Sequence, residues 1–343
     1  MVANKSEILT ARLLGNSFLK LYVYANPQIQ AEGEQNAVEL CDVLISFHGM
    51  AIFIEVKEFN PEAGTSKPDD WLKSKVFYKA RKQLTRSCEF LRRRHKVFDK
   101  KTKRLISTTS WEAVMTVIVF DRDDVGNYSY TRALPDDDKY CGVNIFSMKD
   151  FRLATKQIPT PLDFFRYLEK RYLSMRDGNH LFPLVQTPNG IHIPEGNGLT
   201  DEVVLITDYL LNNSKNLDGN VGPAKAIIRS GEQLYRLNAD ADLLHLLSCV
   251  DMKVAEGIDE IRKELIEKTE DNALAWNGQF VQSGFDFGKI GIAIAYSKLP
   301  STTISNYDKL KSKICEVGNE YGIETIYVTV FHDGNIYEIR KVK

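Results

Sequence analysis

Three observations predict an α/β protein of two consecutive domains. Continuous apolar runs of strand length alternate with helical, amphipathic segments as far as about residue 175, and the alternation returns after about residue 200. Between them, from Arg176 to Gly198, the composition shifts to Asn, Gly and Pro. The chain of 343 residues is also longer than one core usually organises. The expected boundaries are residues 1–175, a linker or irregular subdomain over 176–199, and an α/β (α+β) domain over 200–343.

Ser6 can cap a first helix running from Glu7 to about Gly15, with Glu7, Ala11 and Leu14 at i, i+4 and i+7 on one face. Glu7 reads equally as a first-turn acid favoured by the helix dipole. The segment Glu39–Glu58, ELCDVLISFHGMAIFIEVKE, carries the most information. Val43-Leu44-Ile45 and Ala51-Ile52-Phe53-Ile54 read as antiparallel strands joined by a tight turn at His48-Gly49. Side chains alternate along a strand, so Glu55 and Lys57 share a face, and the hairpin can bring Asp42 beside Glu55.

Two carboxylates at about 4 Å repel by roughly 4 kcal/mol at an effective dielectric near 20, so a cation is needed if both are to stay ionised. Lys57 supplies one positive charge. A hard divalent ion, Mg²⁺ or Mn²⁺, would supply the rest and acidify a water for attack on phosphorus. The competing reading is an exposed E-x-K on an edge strand, where charge guards against aggregation. Against it, Ile52 to Val56 is apolar on both faces apart from Glu55, which marks a central, buried strand whose charges need partners.

A helix is expected from Asp70 to about His95, with Leu72, Val76, Ala80, Leu84 and Leu91 as its apolar stripe. Lys75, Lys79, Lys82, Arg86 and Arg93 line an adjacent strip, and Gln83 falls on the border. The whole chain is balanced, with 45 basic and 46 acidic residues, yet Lys73–Arg104 holds fourteen Lys/Arg against Glu89 and Asp99 alone. Such a run suits a phosphate-backbone channel, the plainer alternative being a solvated helix face and a basic loop. Ala113–Phe120 and Gly142–Phe146 read as further strands. Thr160-Pro161-Leu162-Asp163 reads as a cap, N1 proline and acidic first turn opening a helix to about Met175.

Asp42, Glu55 and Lys57 in this hairpin setting resemble the PD-(D/E)xK nuclease superfamily over residues 1–175. Cys41 stands where the motif's proline would be. The resemblance implies a restriction-endonuclease-like mixed sheet flanked by helices, with Asp42 and Glu55 as metal ligands and Lys57 orienting the water. It implies that Glu7 is an added acid of the metal site and that Gln83 approaches it, although Ser87 and Cys88 replace the tyrosine usual a few residues after that glutamine. It also suggests a prokaryotic restriction or anti-phage setting.

In the second half the apolar helix Val203–Leu211 and helical segments to about Lys268 are followed by strands at Ile290–Tyr296, Thr325–Phe331 and Ile336–Arg340, with a helix over Ile304–Tyr321. No catalytic constellation stands out there. Asp251, Glu256 and Asp259 read as solvated acids and His245 as a packed residue, while Trp276, Phe280, Phe285 and Phe287 suit a core better than a ligand stack. Five widely spaced cysteines without a CxxC indicate neither disulfides nor zinc, and a polar, charged amino terminus indicates no signal peptide. The expectation is a soluble, cytoplasmic, Mg²⁺-dependent nuclease acting on DNA, with no membrane association. The second domain would serve recognition, homo-oligomer formation or docking of a separate partner protein. The alternatives are a non-catalytic nucleic-acid scaffold and a protein-interaction module.

Overall fold

Helix α1 (Lys5–Ser17) is capped by Asn4, not by Ser6. The Asn4 side-chain oxygen accepts the Glu7 N–H at 2.7 Å, and a Glu7 carboxylate oxygen accepts the Asn4 N–H at 3.2 Å. This reciprocal capping box frees Ser6 for the interior, where its hydroxyl donates to Asp121 Oδ2 at 2.6 Å. The buried face is therefore Ser6, Thr10 and Leu14, and Glu7 stands beside it instead of on it. The computed structural model describes residues 4–17, 22–30, 36–47, 49–63, 66–92, 96–107, 111–122, 124–125, 133–137, 139–158, 160–176, 185–187, 190–192, 201–213, 251–268, 274–281, 290–297, 303–332 and 335–342. The chain divides into two units, Met1–Tyr209 and Leu210–Lys343.

The strands of the first unit are β1 (Val23–Ala25), β2 (Gln28–Gln30), β3 (Val38–Glu39), β4 (Val43–Phe47), β5 (Met50–Glu58), β6 (Lys96–Phe98), β7 (Leu105–Ser107), β8 (Ala113–Asp121), β9 (Ala133–Leu134), β10 (Val143–Ser147), β11 (Val185–Thr187) and β12 (Gly190–His192). Six of them form a mixed sheet in the order β1-β4-β5-β8-β10-β9. β4 and β5 pair antiparallel from Val43 opposite Ile54 to Phe47 opposite Met50, turning through Gly49 at a φ of 70° that favours glycine. β5 then pairs parallel with β8, and β8 with β10. Met50 to Val56 are buried without exception, because β5 is an interior strand with both faces covered. The exposed-edge reading of Glu55 and Lys57 does not hold.

The expected single helix after β5 is built in three parts. Helix α2 (Pro68–Trp71) leads into a π-helical stretch, Leu72–Ala80, and then α3 (Arg81–Arg92). In a π-helix each bond spans one more residue than in an α-helix, so the turn is wider and residues four apart stay in line. The buried row Leu72, Val76, Ala80, Leu84 and Ser87 is thereby continuous across the junction. The basic run past residue 95 does not prolong this helix. It forms the β6–β7 hairpin of a separate sheet, ordered β3-β2-β6-β7, where Lys100 meets Glu39 at 3.5 Å.

Helix α4 (Met148–Gln157), an element beyond those expected from sequence, starts where Ser147 Oγ accepts the Asp150 N–H. Helix α5 (Pro161–Arg176) starts at Thr160 as expected, with the Asp163 N–H donating to Thr160 Oγ1 at 3.1 Å. Helix α6 (Asp201–Asn213) belongs by its first turns to the first unit, since Glu202 is buried against Arg171 of α5. That places the division about ten residues beyond the expected boundary. Of the expected linker over 176–199, β11 and β12 form a two-stranded hairpin, and most of the rest lies outside the described residues.

The second unit holds helix α7 (Met252–Lys268), helix α8 (Thr303–Glu320) and a mixed sheet of β13 (Leu274–Val281), β14 (Ile290–Ser297), β15 (Thr325–His332) and β16 (Asn335–Lys341) in that order. Its core gathers Ala293, Ala295, Ile314, Ile326, Val328 and Val330, with Trp276 packed against them. Asp251 caps α7 through the Val254 N–H, and Asp259 pairs with Arg262 and Lys263, so both are tied acids, not solvated ones. His245, Phe285 and Phe287 lie outside the described residues. Among the described residues no helix is long and apolar enough to cross a membrane.

Candidate functional site

Asp42 is the residue before β4, and Glu55 and Lys57 lie near the end of β5, so the hairpin register sets all three at one end of the sheet. Asp42 Oδ2 accepts the Val56 N–H at 2.6 Å, which fixes the carboxylate across the strand pair. Lys57 Nζ donates to Glu55 Oε2 at 2.7 Å and lies 3.8 Å from Asp42 Oδ2. Glu7 closes the group: the Asp42 and Lys57 charges both act on it, and the Asn26 side chain hydrogen-bonds it.

Three carboxylates thus share one ammonium in a half-dry setting. Glu55 is 2 % exposed, and burial first, then the Asp42 charge, pushes its carboxyl up to about 8 despite Lys57. Burial and Asp42 also raise Glu7. Burial alone would lower Lys57, but Glu55, Asp42 and Glu7 outweigh it and raise the ammonium. Cys41, in place of the motif's proline, is buried, and desolvation with the neighbouring Glu55 and Asp42 charges holds its thiol well above the usual range. It is inert packing.

A cavity of about 600 Å³ opens over this group. Glu7, Asp42 and Lys57 form one wall, with Glu55 beneath Lys57 and not at the surface. The opposite wall is a helical row, Lys75, Lys79, Gln83 and Arg86, spaced four, four and three across the π-to-α junction. Gln83, placed by the sequence on the border, therefore faces the acids. Lys82 is exposed but is not on this wall. Arg93 lies outside the described residues. Arg81, in the same basic run, is structural: buried, it donates to Cys141 O at 2.9 Å and pairs with Asp137 at 3.0 Å.

Asn4, Asn26, Glu39, Glu58 and Trp71 also line the cavity, beyond the residues expected from sequence. One has a readable signal: Asn26-Pro27 is a turn dipeptide, and Asn26 takes the left-handed φ of 49° that asparagine tolerates. The others depend on how α1 and the small sheet pack over the hairpin, which no local pattern encodes.

Among the described residues no three acid, His or Cys side chains already form a closed metal cage. The donors present are carboxylate oxygens, and one or two of them are the usual protein share for Mg²⁺. The surplus negative charge around Lys57 is of the kind that a hard divalent cation would neutralise, and Asp42 and Glu55, with Glu7 next to them, are the residues that could hold one. Comparison with protein-family models, with curated proteins and with solved structures finds no match.

Proposed function

We propose that the first unit is a metal-dependent nuclease of the PD-(D/E)xK kind, hydrolysing phosphodiester bonds of DNA. One observation carries this reading: an acid group short of positive charge faces a row of Lys75, Lys79 and Arg86 across one cavity. The central β4-β5-β8-β10 order, an antiparallel hairpin followed by parallel strands, supports a restriction-endonuclease-like sheet.

Asp42 and Glu55 would hold Mg²⁺ or Mn²⁺. When bound, the ion supplies a Lewis acid at the scissile phosphate and an acidified water. Lys57 orients a water beside the scissile phosphate for in-line attack and stabilises the charge that develops as the ester oxygen departs. Glu7 adds negative potential, and its capping box with Asn4 fixes the start of α1, which Ser6 ties to Glu58 and Asp121. Lys75, Lys79 and Arg86 position the phosphate backbone and Gln83 contacts it, so substrate enters between the helical row and the acids. The second unit serves recognition, self-association or partner docking, and the setting is restriction or anti-phage defence in the cytoplasm.

Incubating the pure chain with linear DNA, circular DNA and RNA, with Mg²⁺ or Mn²⁺ and then with EDTA, tests the reading. Cation-dependent cutting of DNA that EDTA stops is expected. Intact DNA under every cation condition would leave a non-catalytic nucleic-acid scaffold as the better account.

A further inference from the structure

Helix α3 has a second functional flank. Arg81, Thr85 and Cys88 follow one another at i, i+4 and i+7, on a face distinct from Gln83 and Arg86. All three meet the segment leading into β10. Arg81 Nε donates to Cys141 O at 2.9 Å, the Cys141 N–H donates to Thr85 Oγ1 at 3.0 Å, and Thr85 Oγ1 lies 3.4 Å from Cys141 Sγ. Cys88, a turn further along α3, lines the same cavity as Cys141, and its thiol acts on the Cys141 sulfur. Two cysteines 53 positions apart in sequence are thus pinned together by backbone bonds on either side.

Both thiols are half-buried and line one cavity of about 620 Å³, so a small solute can reach them. The site also makes a thiolate. The Cys88 hydrogen bond foremost, then the Thr85 and Thr116 hydroxyls and the Arg81 charge, bring Cys141 down to about 6 against the opposing effect of burial. Two sulfurs without a third Cys, His or acid grouped with them, among the described residues, do not make a tetrahedral zinc set. A reactive thiolate beside a second thiol in one cavity is instead the arrangement of an attacking and a resolving cysteine.

We propose that Cys88 and Cys141 are a peroxide-reactive dithiol that closes to an intramolecular disulfide between α3 and the start of β10. The Cys141 thiolate attacks one oxygen of hydrogen peroxide. An S–O bond forms, the O–O bond breaks, and the departing hydroxide leaves as water once protonated. Cys88 sulfur then attacks Cys141 sulfur, the S–S bond forms and the S–O bond breaks. The second hydroxide leaves as water with the Cys88 proton. Two thiols are oxidised and one peroxide is reduced to two waters. The bond ties to β10 the helix that presents Gln83 and Arg86 to the acid cavity. Neither thiol lines that cavity, so the bond can be detected whether or not the chain cuts DNA.

The full chain, treated with hydrogen peroxide, alkylated and digested with trypsin without reductant, should yield peptide 87–92 joined to peptide 140–149. The pair should be two hydrogens lighter than the sum and should separate with dithiothreitol. Cys141 should lose its alkylatable thiol at least about tenfold faster than Cys315. In Cys88→Ser, dimedone should trap Cys141 as its sulfenic acid. Because the wild-type peptide map needs no variant, misfolding of Cys88→Ser would not blunt the test. Recovery of both peptides alkylated, with Cys141 reacting no faster than Cys315, would overturn the proposal. So would direct passage of Cys141 to its sulfonic acid without any joined peptide.

Discussion

Two glutamates of the first unit are buried almost equally, Glu55 at 2 % and Glu202 at 0 % exposure, yet their surroundings differ in kind. Glu202 is met by Arg171 through Nε at 3.0 Å and a terminal nitrogen at 2.9 Å, and by the Tyr167 hydroxyl. Arg171 is itself completed by Asn144 Oδ1, Ile145 O and the face of Phe146 at 3.7 Å. Glu55 has one ammonium, which it shares with Asp42 and Glu7, and its carboxyl rises to about 8. A buried charge with all its partners fastens helices together. One left short of positive charge is where the proposed cation would sit.

The largest effect expected from this contrast is chemical. Asp42→Ala should lower cleavage by about 10³-fold or more, several kcal/mol of transition-state stabilisation, while in the cation-free chain relief of the repulsion on Glu55 offsets part of the cost of leaving the buried Val56 N–H unpaired. Undiminished cutting by this variant would remove Asp42 from the reaction.

Next in size is the structural partner of the comparison. Glu202→Ala strands Arg171 in the interior and should cost about 3–5 kcal/mol in urea unfolding, with the rate per folded molecule unchanged. A loss below about 1 kcal/mol would mean that Arg171 finds water, and the two glutamates would then be less different than their contacts suggest.

The third effect is a dependence on pH. Because the folded-state carboxyl of Glu55 is raised, the folded chain keeps a proton that the unfolded chain has lost between pH 4.5 and about 8. Stability of the cation-free protein should therefore fall as pH rises through that window and level off above it, by an amount on the order of a few kcal/mol. Glu55→Gln should flatten the profile, as read from urea midpoints in EDTA. An equally sloped profile in that variant would assign the proton elsewhere.

Smallest is the effect of the helical row. Replacing Lys75, Lys79 and Arg86 with glutamine in an Asp42→Ala background should reduce the log-log salt slope of duplex binding by roughly 0.9 for each phosphate that is no longer neutralised. Lys82→Gln, off the cavity wall, should change the slope less. Equal effects would restore the broader strip read from charge alone.

The contrast between the two glutamates also marks what is legible in the sequence. The β4–β5 hairpin, the buried character of β5 and the juxtaposition of Asp42, Glu55 and Lys57 follow from local alternation and apolar runs, which short-range physics dictates. Glu202 could not be found this way, since its partner is 31 positions distant and an isolated glutamate at a helix start looks like any first-turn acid. The same holds for Cys88 and Cys141, whose spacing suggests nothing until α3 packs beside β10. The helical row is visible in the sequence as charge but not as geometry. An α-helical count admits Lys82, and only the wider π turn aligns Lys75 and Lys79 with Gln83 and Arg86.

The central claim, that the acid group is completed by a divalent cation, is tested most directly by calorimetric titration of Mn²⁺ or Mg²⁺ into the chain in buffers of different ionisation enthalpy. The ion displaces the proton held by Glu55, so binding near pH 6.5 should release close to one proton per cation, and the release should vanish above about pH 9. Asp42→Ala should abolish the binding heat. No binding at millimolar cation, or binding that releases no proton and survives Asp42→Ala, would contradict the account.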